Sequence, residues 1–159
     1  MIRVAARMRR IEQEMPLSTS ASAAVDSLSP VLHEVHQGIA RVTLNRPQQF
    51  NALSAAVIDA LAQTLDTLAA DPAVRVVVIG AAGKAFCPGH DLKEMAARRT
   101  QEFGDGLFTR CCSMMLALTR MPQPVIARVH GIATAAGCQL VAACDLAVAA
   151  DDARFATSG

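Results

Sequence analysis

Aromatic residues are scarce in this sequence, which has no tryptophan and no tyrosine and an aromatic content of only 3% over 159 residues. A dominant sign of charge is also missing, because 15 basic residues stand against 14 acidic ones and leave a formal net charge of +1. Proteins that bind nucleic acids usually combine basic patches with aromatic stacking platforms. The composition therefore argues against a nucleic-acid partner and favours chemistry on a small molecule.

Long uninterrupted apolar runs are absent as well, although 52% of the residues are hydrophobic. The Val, Ile and Ala segments are broken by Asp, Arg or Pro well before the ~20 residues that a membrane-spanning helix needs. The apolar content is enough for a buried core, so we expect one compact domain without a membrane partner.

Metal-binding and disulfide patterns are missing from the cysteines. Their number is odd, they lie in apolar segments, and none forms a C-x-x-C pair with partner histidines (Cys87, Cys111, Cys112, Cys138 and Cys144). We predict reduced core residues of an intracellular protein and no metal site. The segment "VVVIGAAGKAF" also lacks the G-x-G-x-x-G spacing of a dinucleotide-binding turn, so nucleotide binding through such a turn is not expected.

The first 30 residues have the composition of a flexible N-terminal extension. Four arginines occur among the first ten residues, and residues 16–30 are rich in Ser, Ala and Pro with few large apolar side chains. The basic start is also typical of a targeting peptide, but Glu12 and Glu14 count against one. We therefore predict a folded core over residues 31–159 and a cytoplasmic location, with the mitochondrial matrix as the alternative.

Hydrophobic periodicity within the core predicts strands that alternate with helices. A hairpin is expected around Gln37-Gly38, followed by an amphipathic helix that Ser54 caps and that ends before Pro72. Further apolar runs predict buried strands at 74–80, 124–131 and 145–151, and helices at 91–99, 102–120 and 138–143. This alternation predicts an α/β fold with a largely parallel sheet, because helical crossovers join parallel strands.

A run of very small residues, 133–137, stands before the last of these helices. A helix that begins with almost no side chains leaves its first backbone N–H groups accessible at the positive end of the helix dipole. That arrangement predicts a site for an anion, or for a carbonyl oxygen that becomes one during a reaction.

Three segments follow one another in order: "RVTLNRPQQFNALS", "GKAFCPGHDLKEM" and "ARVHGIATAAGCQLVAACDLAVAADDARFATSG". Together they resemble the signature regions of the crotonase superfamily, also called the enoyl-CoA hydratase/isomerase family. The resemblance covers residues 31–159 and implies the crotonase-like fold, a spiral of β-β-α units with mostly parallel strands. It also implies an acyl-CoA thioester as the substrate, with coenzyme A a part of that substrate rather than a cofactor.

The family uses two backbone N–H groups, an oxyanion hole, to polarise the thioester carbonyl and stabilise the enolate that forms. The resemblance places these groups at His90 and Ala136. Ala136 replaces a glycine that is common in the family, which narrows the pocket but leaves the N–H in place. Two interpretations stay open for the imidazole of His90. It either acts as an acid, a base or a ligand, or it has a positional or solvent-facing role, and the resemblance favours the positional or solvent-facing role.

Substrate contacts, many of them through the backbone, are implied for a wider set: Phe50, Ala52, Leu53, Cys87, Gly89, Asp91, Leu92 and Ala135. Ordinary loop or core packing is the alternative for each of them. For Asp91 the alternative is a helix N-cap, which we favour. Glu94, on the same short helix, is predicted to be a solvated surface charge.

Hydratases of this family need two glutamates, and the resemblance places Gln139 and Gly159 at their positions. A glutamine cannot exchange a proton at neutral pH and a glycine has no side chain, so hydration by the usual mechanism is not expected. The nearest carboxylates in sequence are predicted surface charges (Glu102, Asp105 and Asp152). An isomerisation or hydrolysis through an enolate suits the remaining groups, and a non-catalytic acyl-CoA-binding protein is the alternative.

The family's C-terminal helical region, which helps to close the acyl pocket and to build trimers, has no counterpart in this sequence. A homotrimer or hexamer is expected of a full-length chain rather than of this one. An inactive fragment is accordingly the third interpretation.

Overall fold

The computed structural model describes residues 29–157, so residues 1–28 of the predicted extension and the position of Gly159 lie outside the described residues. Within this range the chain forms seven strands and four α-helices. The strands are β1 (Val31–His36), β2 (Ile39–Leu44), β3 (Val76–Ala81), β4 (Val125–Val129), β5 (Ile132–Thr134), β6 (Leu146–Ala149) and β7 (Arg154–Ala156). The helices are α1 (Ala55–Ala70), α2 (Leu92–Ala97), α3 (Gln101–Thr119) and α4 (Ala136–Ala142), and a 3-10 turn covers Pro47–Gln49.

Five strands form one sheet in the order β1-β2-β3-β4-β6. β1 and β2 are an antiparallel hairpin, and the three later pairs are parallel. The hairpin turns at Gln37 and Gly38, whose φ angles of 51° and 80° are both positive, as a two-residue turn between twisted strands requires. The predicted hairpin and the mostly parallel α/β sheet are confirmed.

The amphipathic helix predicted after Ser54 is α1. The Ser54 side chain accepts a hydrogen bond from Val57 N at 3.3 Å, so Ser54 is the N-cap as expected. Leu61 and Leu65 of this helix are fully buried with Ile79 of β3 in the main hydrophobic cluster. Each such side chain contributes about 1.5–3 kcal/mol through its burial, which fixes the helix against the sheet. No helix within residues 29–157 is long and apolar enough to cross a membrane.

The strand predicted at 145–151 forms, as β6, but the prediction that it is buried was wrong. β6 is the last strand of its sheet, and Leu146 and Val148 on it are 62% and 41% exposed. A continuous apolar run is typical of a strand covered on both faces, but the covering comes from neighbouring elements that the run itself does not specify. Among the described residues no element covers these two side chains.

The prediction that Glu94 is a solvated charge was also wrong. Glu94 is half-buried on α2, and its Oε2 accepts a hydrogen bond from Ala55 N, the first residue of α1, at 2.9 Å. The first N–H groups of a helix lack partners within the helix and attract negative charge. The fold supplies that charge from a residue far away in the sequence, which local reasoning could not find.

A second sheet, made of the parallel strands β5 and β7, was not predicted. Its strand β5 contains the first two residues of the small-residue run, Ala133 and Thr134, and leads through Ala135 into α4. A Cβ atom on Gly137, the second residue of α4, would overlap the carbonyl oxygen of Cys87. Thr134 N also donates to this oxygen, at 3.0 Å. The small side chains of the run therefore let α4 pack directly against the backbone around Cys87.

Candidate functional site

A cavity of about 420 Å³ opens between α3 and α4, and we call it the α3–α4 cavity. Its lining residues come from both helices, from the loop before α2 and from the segment after β7: His90, Phe108, Cys111, Cys112, Ala135, Ala136, Cys138, Gln139, Ala142 and Thr157. The structure thus brings together four residues that the sequence predicted for the site, namely His90, Ala135, Ala136 and Gln139.

Two backbone N–H groups at this cavity, those of His90 and Ala136, donate to no acceptor within residues 29–157. Leu53 pairs with His90 as in a parallel sheet, because Leu53 N donates to Gly89 O at 2.8 Å and Asp91 N donates to Leu53 O at 3.1 Å. In this pattern the N–H of His90 itself points away from Leu53. Ala136 is the first residue of α4, so its N–H has no acceptor one turn earlier in the helix.

The two N–H groups lie on neighbouring stretches of backbone. A Cβ atom placed on Gly89 would be 3.3 Å from Ala136 N and 3.1 Å from the Cβ of Ala135. Two unpaired donors side by side on a cavity wall can bind one oxygen atom, and they can stabilise negative charge that develops on it.

Ala135 connects β5 to α4 in a strained conformation. Its φ of 48° and ψ of −124° lie in a region that side-chain-bearing residues rarely adopt, and its N donates to Ala156 O on β7 at 2.9 Å. Such a conformation costs about 1–3 kcal/mol and persists only where the surrounding structure enforces it.

The imidazole of His90 is half-buried in the cavity wall. It meets the ring of Phe108 at 66°, with 4.9 Å between the ring centroids. Its Nε2 is shielded from solvent and has no hydrogen-bond partner among the described residues. Burial lowers the pKa of His90 below its ordinary value, because a desolvated imidazolium is less stable than the neutral ring. The ring is therefore neutral at neutral pH.

Three cavity residues that the sequence had placed in the core are cysteines. The core prediction is confirmed for Cys111, which is buried, but was wrong for Cys112, which is exposed, and Cys138 is half-buried. Burial raises the pKa of the Cys111 thiol, with the neighbouring Cys112 as a second cause. Phe108, Cys111 and Cys112 follow the i, i+3, i+4 spacing of one helix face, but the same spacing is typical of a core stripe. Sequence reasoning therefore missed this wall of the cavity.

The loop before α1 is fixed by Asn51, which is 1% exposed. Its side-chain oxygen accepts from Arg46 N at 2.9 Å, and its Nδ2 donates to the carbonyl oxygens of Ala82 and Ala85, each at 2.8 Å. Its φ of 62° is a conformation that asparagine tolerates better than most residues. These bonds anchor the "FNALS" loop to the segment that leads into the loop of His90.

Asp91 is the N-cap of α2, the interpretation that the sequence favoured. Its Oδ1 accepts from Lys93 N at 3.1 Å and from Glu94 N at 3.2 Å. Its Oδ2 pairs with Arg46 Nη1 at 3.3 Å. All of these contacts lie within the protein, so the carboxylate helps to fix the backbone next to His90.

The remaining residues implied as substrate contacts differ in exposure. Ala52, Leu53 and Cys87 are buried, whereas Phe50 and Leu92 are 45% and 74% exposed. The N–H groups of Leu53 and Cys87 donate to protein carbonyls. Contacts between these residues and a substrate stay a prediction.

No carboxylate lines the α3–α4 cavity within residues 29–157. The side chains of Glu102, Asp105 and Asp152 are exposed, as predicted. The described part of the chain also contains no group of three or more His, Cys, Asp or Glu residues that could hold a metal ion. The polar groups of the cavity are therefore backbone N–H groups, an imidazole, an amide, a hydroxyl and thiols.

Comparison with known proteins gives a consistent result. The sequence pattern of the enoyl-CoA hydratase/isomerase family matches residues 34–159. Enoyl-CoA hydratase domain-containing protein 3, mitochondrial, of Xenopus laevis is 49% identical over 129 residues, which are 81% of this chain and 44% of that protein. The solved structure of an enoyl-CoA hydratase from Mycobacterium smegmatis is 61% identical with a TM-score of 0.79, over 82% of this chain and 51% of that one.

The structure of human enoyl-CoA hydratase domain-containing protein 3 is 40% identical with a TM-score of 0.77, over 80% of this chain and 51% of that one. This chain thus spans about half the length of the relatives that it matches. The mostly parallel α/β architecture agrees with these structures, and the resemblance found in the sequence is confirmed. The chain belongs to the enoyl-CoA hydratase/isomerase family and has its crotonase fold.

Proposed function

We propose that this chain binds a fatty acyl-CoA thioester in the α3–α4 cavity, with the thioester carbonyl oxygen between the N–H groups of His90 and Ala136. One observation carries the proposal: these two N–H groups are neighbours at the cavity and have no acceptor within the described residues. Donors that are already oriented stabilise the negative oxygen of an enolate more than the neutral carbonyl, so they lower the barrier to enolate formation.

The reaction that suits the cavity is an enolate-forming step such as isomerisation or thioester hydrolysis. Hydration requires groups that deliver a proton and activate water, and Gln139 on the cavity wall does not ionise near neutral pH and cannot act as a general acid or base. The second glutamate position, Gly159, lies outside the described residues. The absence of a lining carboxylate among residues 29–157 also favours a second candidate, a binding protein for acyl-CoA that performs no chemistry.

Calorimetric titration with two ligands tests the proposed carbonyl contact. Butanoyl-CoA has the thioester carbonyl, whereas S-butyl-CoA is a thioether of the same chain length without it. Two hydrogen bonds to a carbonyl contribute about 1–3 kcal/mol in total, so the thioether is expected to bind roughly 5- to 150-fold more weakly. Equal affinities would show that the carbonyl does not meet these donors, and no binding of either ligand would overturn the proposed function altogether.

The Gln139→Glu variant tests why hydration is not expected. It adds one carboxylate to the cavity wall, and general acid–base catalysis typically contributes about 10²–10⁴-fold. We expect this variant to raise the hydration rate of crotonyl-CoA by about 10²-fold, the low end of that range, because the second glutamate is still missing. Gln63→Glu, on the exposed side of α1, is the matched control and should change nothing. Fast hydration of crotonyl-CoA by the unaltered chain would contradict the expectation that this chain is not a hydratase.

Location and assembly are further parts of the proposal. Several relatives carry the word mitochondrial in their names, and this supports the mitochondrial alternative over the cytoplasmic one. A homotrimer or hexamer stays a prediction for a full-length chain. We expect no cofactor, because coenzyme A is part of the substrate.

A further inference from the structure

The groups on the wall of the α3–α4 cavity differ in their ability to move a proton. The amide of Gln139 and the hydroxyl of Thr157 do not ionise near neutral pH and so are poor acids and bases, and no carboxylate joins them within residues 29–157. Thiols as a class have a higher pKa than imidazole, and burial raises the pKa of Cys111 further. The remaining group, the imidazole of His90, is the lining side chain best suited to take up a proton near neutral pH.

The imidazole belongs to the same residue as one of the two proposed carbonyl donors, and this residue lines the cavity. The ring is joined to the backbone nitrogen of His90, one of the two unpaired donors, through only its own Cα and Cβ. In an acyl thioester the α-carbon is likewise only two bonds from the carbonyl oxygen. A carbonyl oxygen held by the His90 N–H therefore brings its α-carbon into the cavity that His90 also lines.

One of the two ring nitrogens of His90, Nε2, makes no hydrogen bond within the described residues. This atom is also shielded from solvent. Buried polar atoms nearly always have a partner in folded proteins, and an unsatisfied one often marks a functional group. Packing against Phe108, with 4.9 Å between ring centroids, holds the imidazole without a hydrogen bond.

We propose that the imidazole of His90 transfers the α-proton of the acyl thioester, an inference that rests on the proposed acyl-CoA site. The C–H bond at the α-carbon breaks, and its proton goes to the unprotonated ring nitrogen. The electron pair of that bond delocalises onto the thioester oxygen, which the N–H groups of His90 and Ala136 stabilise. The imidazolium then returns the proton to the α-carbon, which gives exchange, or to the γ-carbon of a 3-enoyl chain, which moves the double bond to the 2-position.

The charge environment agrees with a base at this position. Burial keeps His90 neutral by lowering its pKa, as proton abstraction requires. The ring contacts Phe108, and the other titratable side chains that line the cavity are Cys111 and Cys112 of α3 and Cys138 of α4. The adjacent carboxylate of Asp91 is held by Arg46 and the start of α2. The exchange rate should therefore rise with pH and level off above a pKa that lies below the ordinary value for histidine.

The exchange of α-protons in D2O tests the inference with a ligand that cannot be hydrated. The chain is incubated with butanoyl-CoA, and deuterium uptake is followed by mass spectrometry from pH 5 to pH 8. His90→Gln retains the backbone N–H and a polar side chain but cannot take up a proton. We expect it to lower the exchange rate by about 10²–10⁴-fold at an unchanged Kd for butanoyl-CoA.

His130→Gln is the matched control, because the Nε2 of His130 bonds to Gly83 O at 2.7 Å and the residue does not line the cavity. This variant should exchange at the rate of the unaltered chain. If His90→Gln exchanges as fast as the unaltered chain, or if the unaltered chain binds butanoyl-CoA without exchange, the proposed role of the imidazole is wrong while the binding site stands. If butanoyl-CoA does not bind, the proposed function itself fails. A purely positional role of the ring would leave the pH profile unchanged in the variant.

Discussion

Replacing Ala135 by glycine should stabilise this protein, although glycine usually destabilises a folded chain. At φ 48° and ψ −124° the backbone of Ala135 is strained by about 1–3 kcal/mol, and glycine would not have this strain. Against this, glycine loses more conformational entropy on folding, about 0.5–1 kcal/mol. The half-buried methyl group contributes less than ~0.8 kcal/mol through burial. The strain relief exceeds these losses by about 1 kcal/mol in the middle of the ranges.

Thermal unfolding by circular dichroism measures this difference. For a chain of this size, about 1 kcal/mol raises the Tm by roughly 2–4 °C. Ala62→Gly is the matched control, because Ala62 is also half-buried but lies inside α1, where the backbone is helical. Glycine there should lower stability by about 1 kcal/mol. If Ala135→Gly lowered the Tm as Ala62→Gly does, the strain at residue 135 would be refuted.

Three further substitutions or labelling experiments test other parts of the structure. Gly137→Ala places a methyl group against the carbonyl oxygen of Cys87 and should lower the unfolding free energy by about 1–3 kcal/mol or more, measured by urea titration. Gly104→Ala is the control, because a Cβ at Gly104 has no atom within 4 Å, and it should raise the unfolding free energy by about 0.5–1 kcal/mol. Asn51→Ala removes the partners of three backbone groups and should lower the unfolding free energy by about 3 kcal/mol. A loss below about 0.5 kcal/mol, less than one ordinary hydrogen bond contributes, would show that water replaces these partners. Iodoacetamide at pH 8 should label the exposed Cys112 first. Burial raises the pKa of Cys87 to about 11, which lowers its thiolate fraction roughly 100-fold. If peptide mass spectrometry found Cys87 labelled as fast as Cys112, this would contradict the burial of Cys87.

Local sequence signals were sufficient for most elements of this fold. The hairpin at Gln37-Gly38 and the helix capped by Ser54 depend on turn and cap chemistry that a few neighbouring residues determine. The exposure of β6 and the capping of α1 by Glu94 depend on which elements become neighbours in space, and periodicity does not contain that information. The same limit explains why the sequence predicted His90 and Gln139 for the site but missed the wall that α3 contributes.

The strain at Ala135 and the free N–H of Ala136 are parts of one arrangement. Ala135 N donates to Ala156 O at 2.9 Å, and Ala135 O accepts from Gln139 N at 3.0 Å, so its backbone is held on both sides. A positive φ between these anchors takes the chain from β5 into α4, whose first N–H, that of Ala136, has no acceptor within residues 29–157. Glycine at position 135 accepts this conformation but also many others, so it should orient the donor less strictly. We therefore expect Ala135→Gly to raise the Tm and, at the same time, to reduce the preference for butanoyl-CoA over S-butyl-CoA. Opposite signs for stability and for carbonyl recognition would show that the strain serves the site, whereas a gain in both would show that it does not.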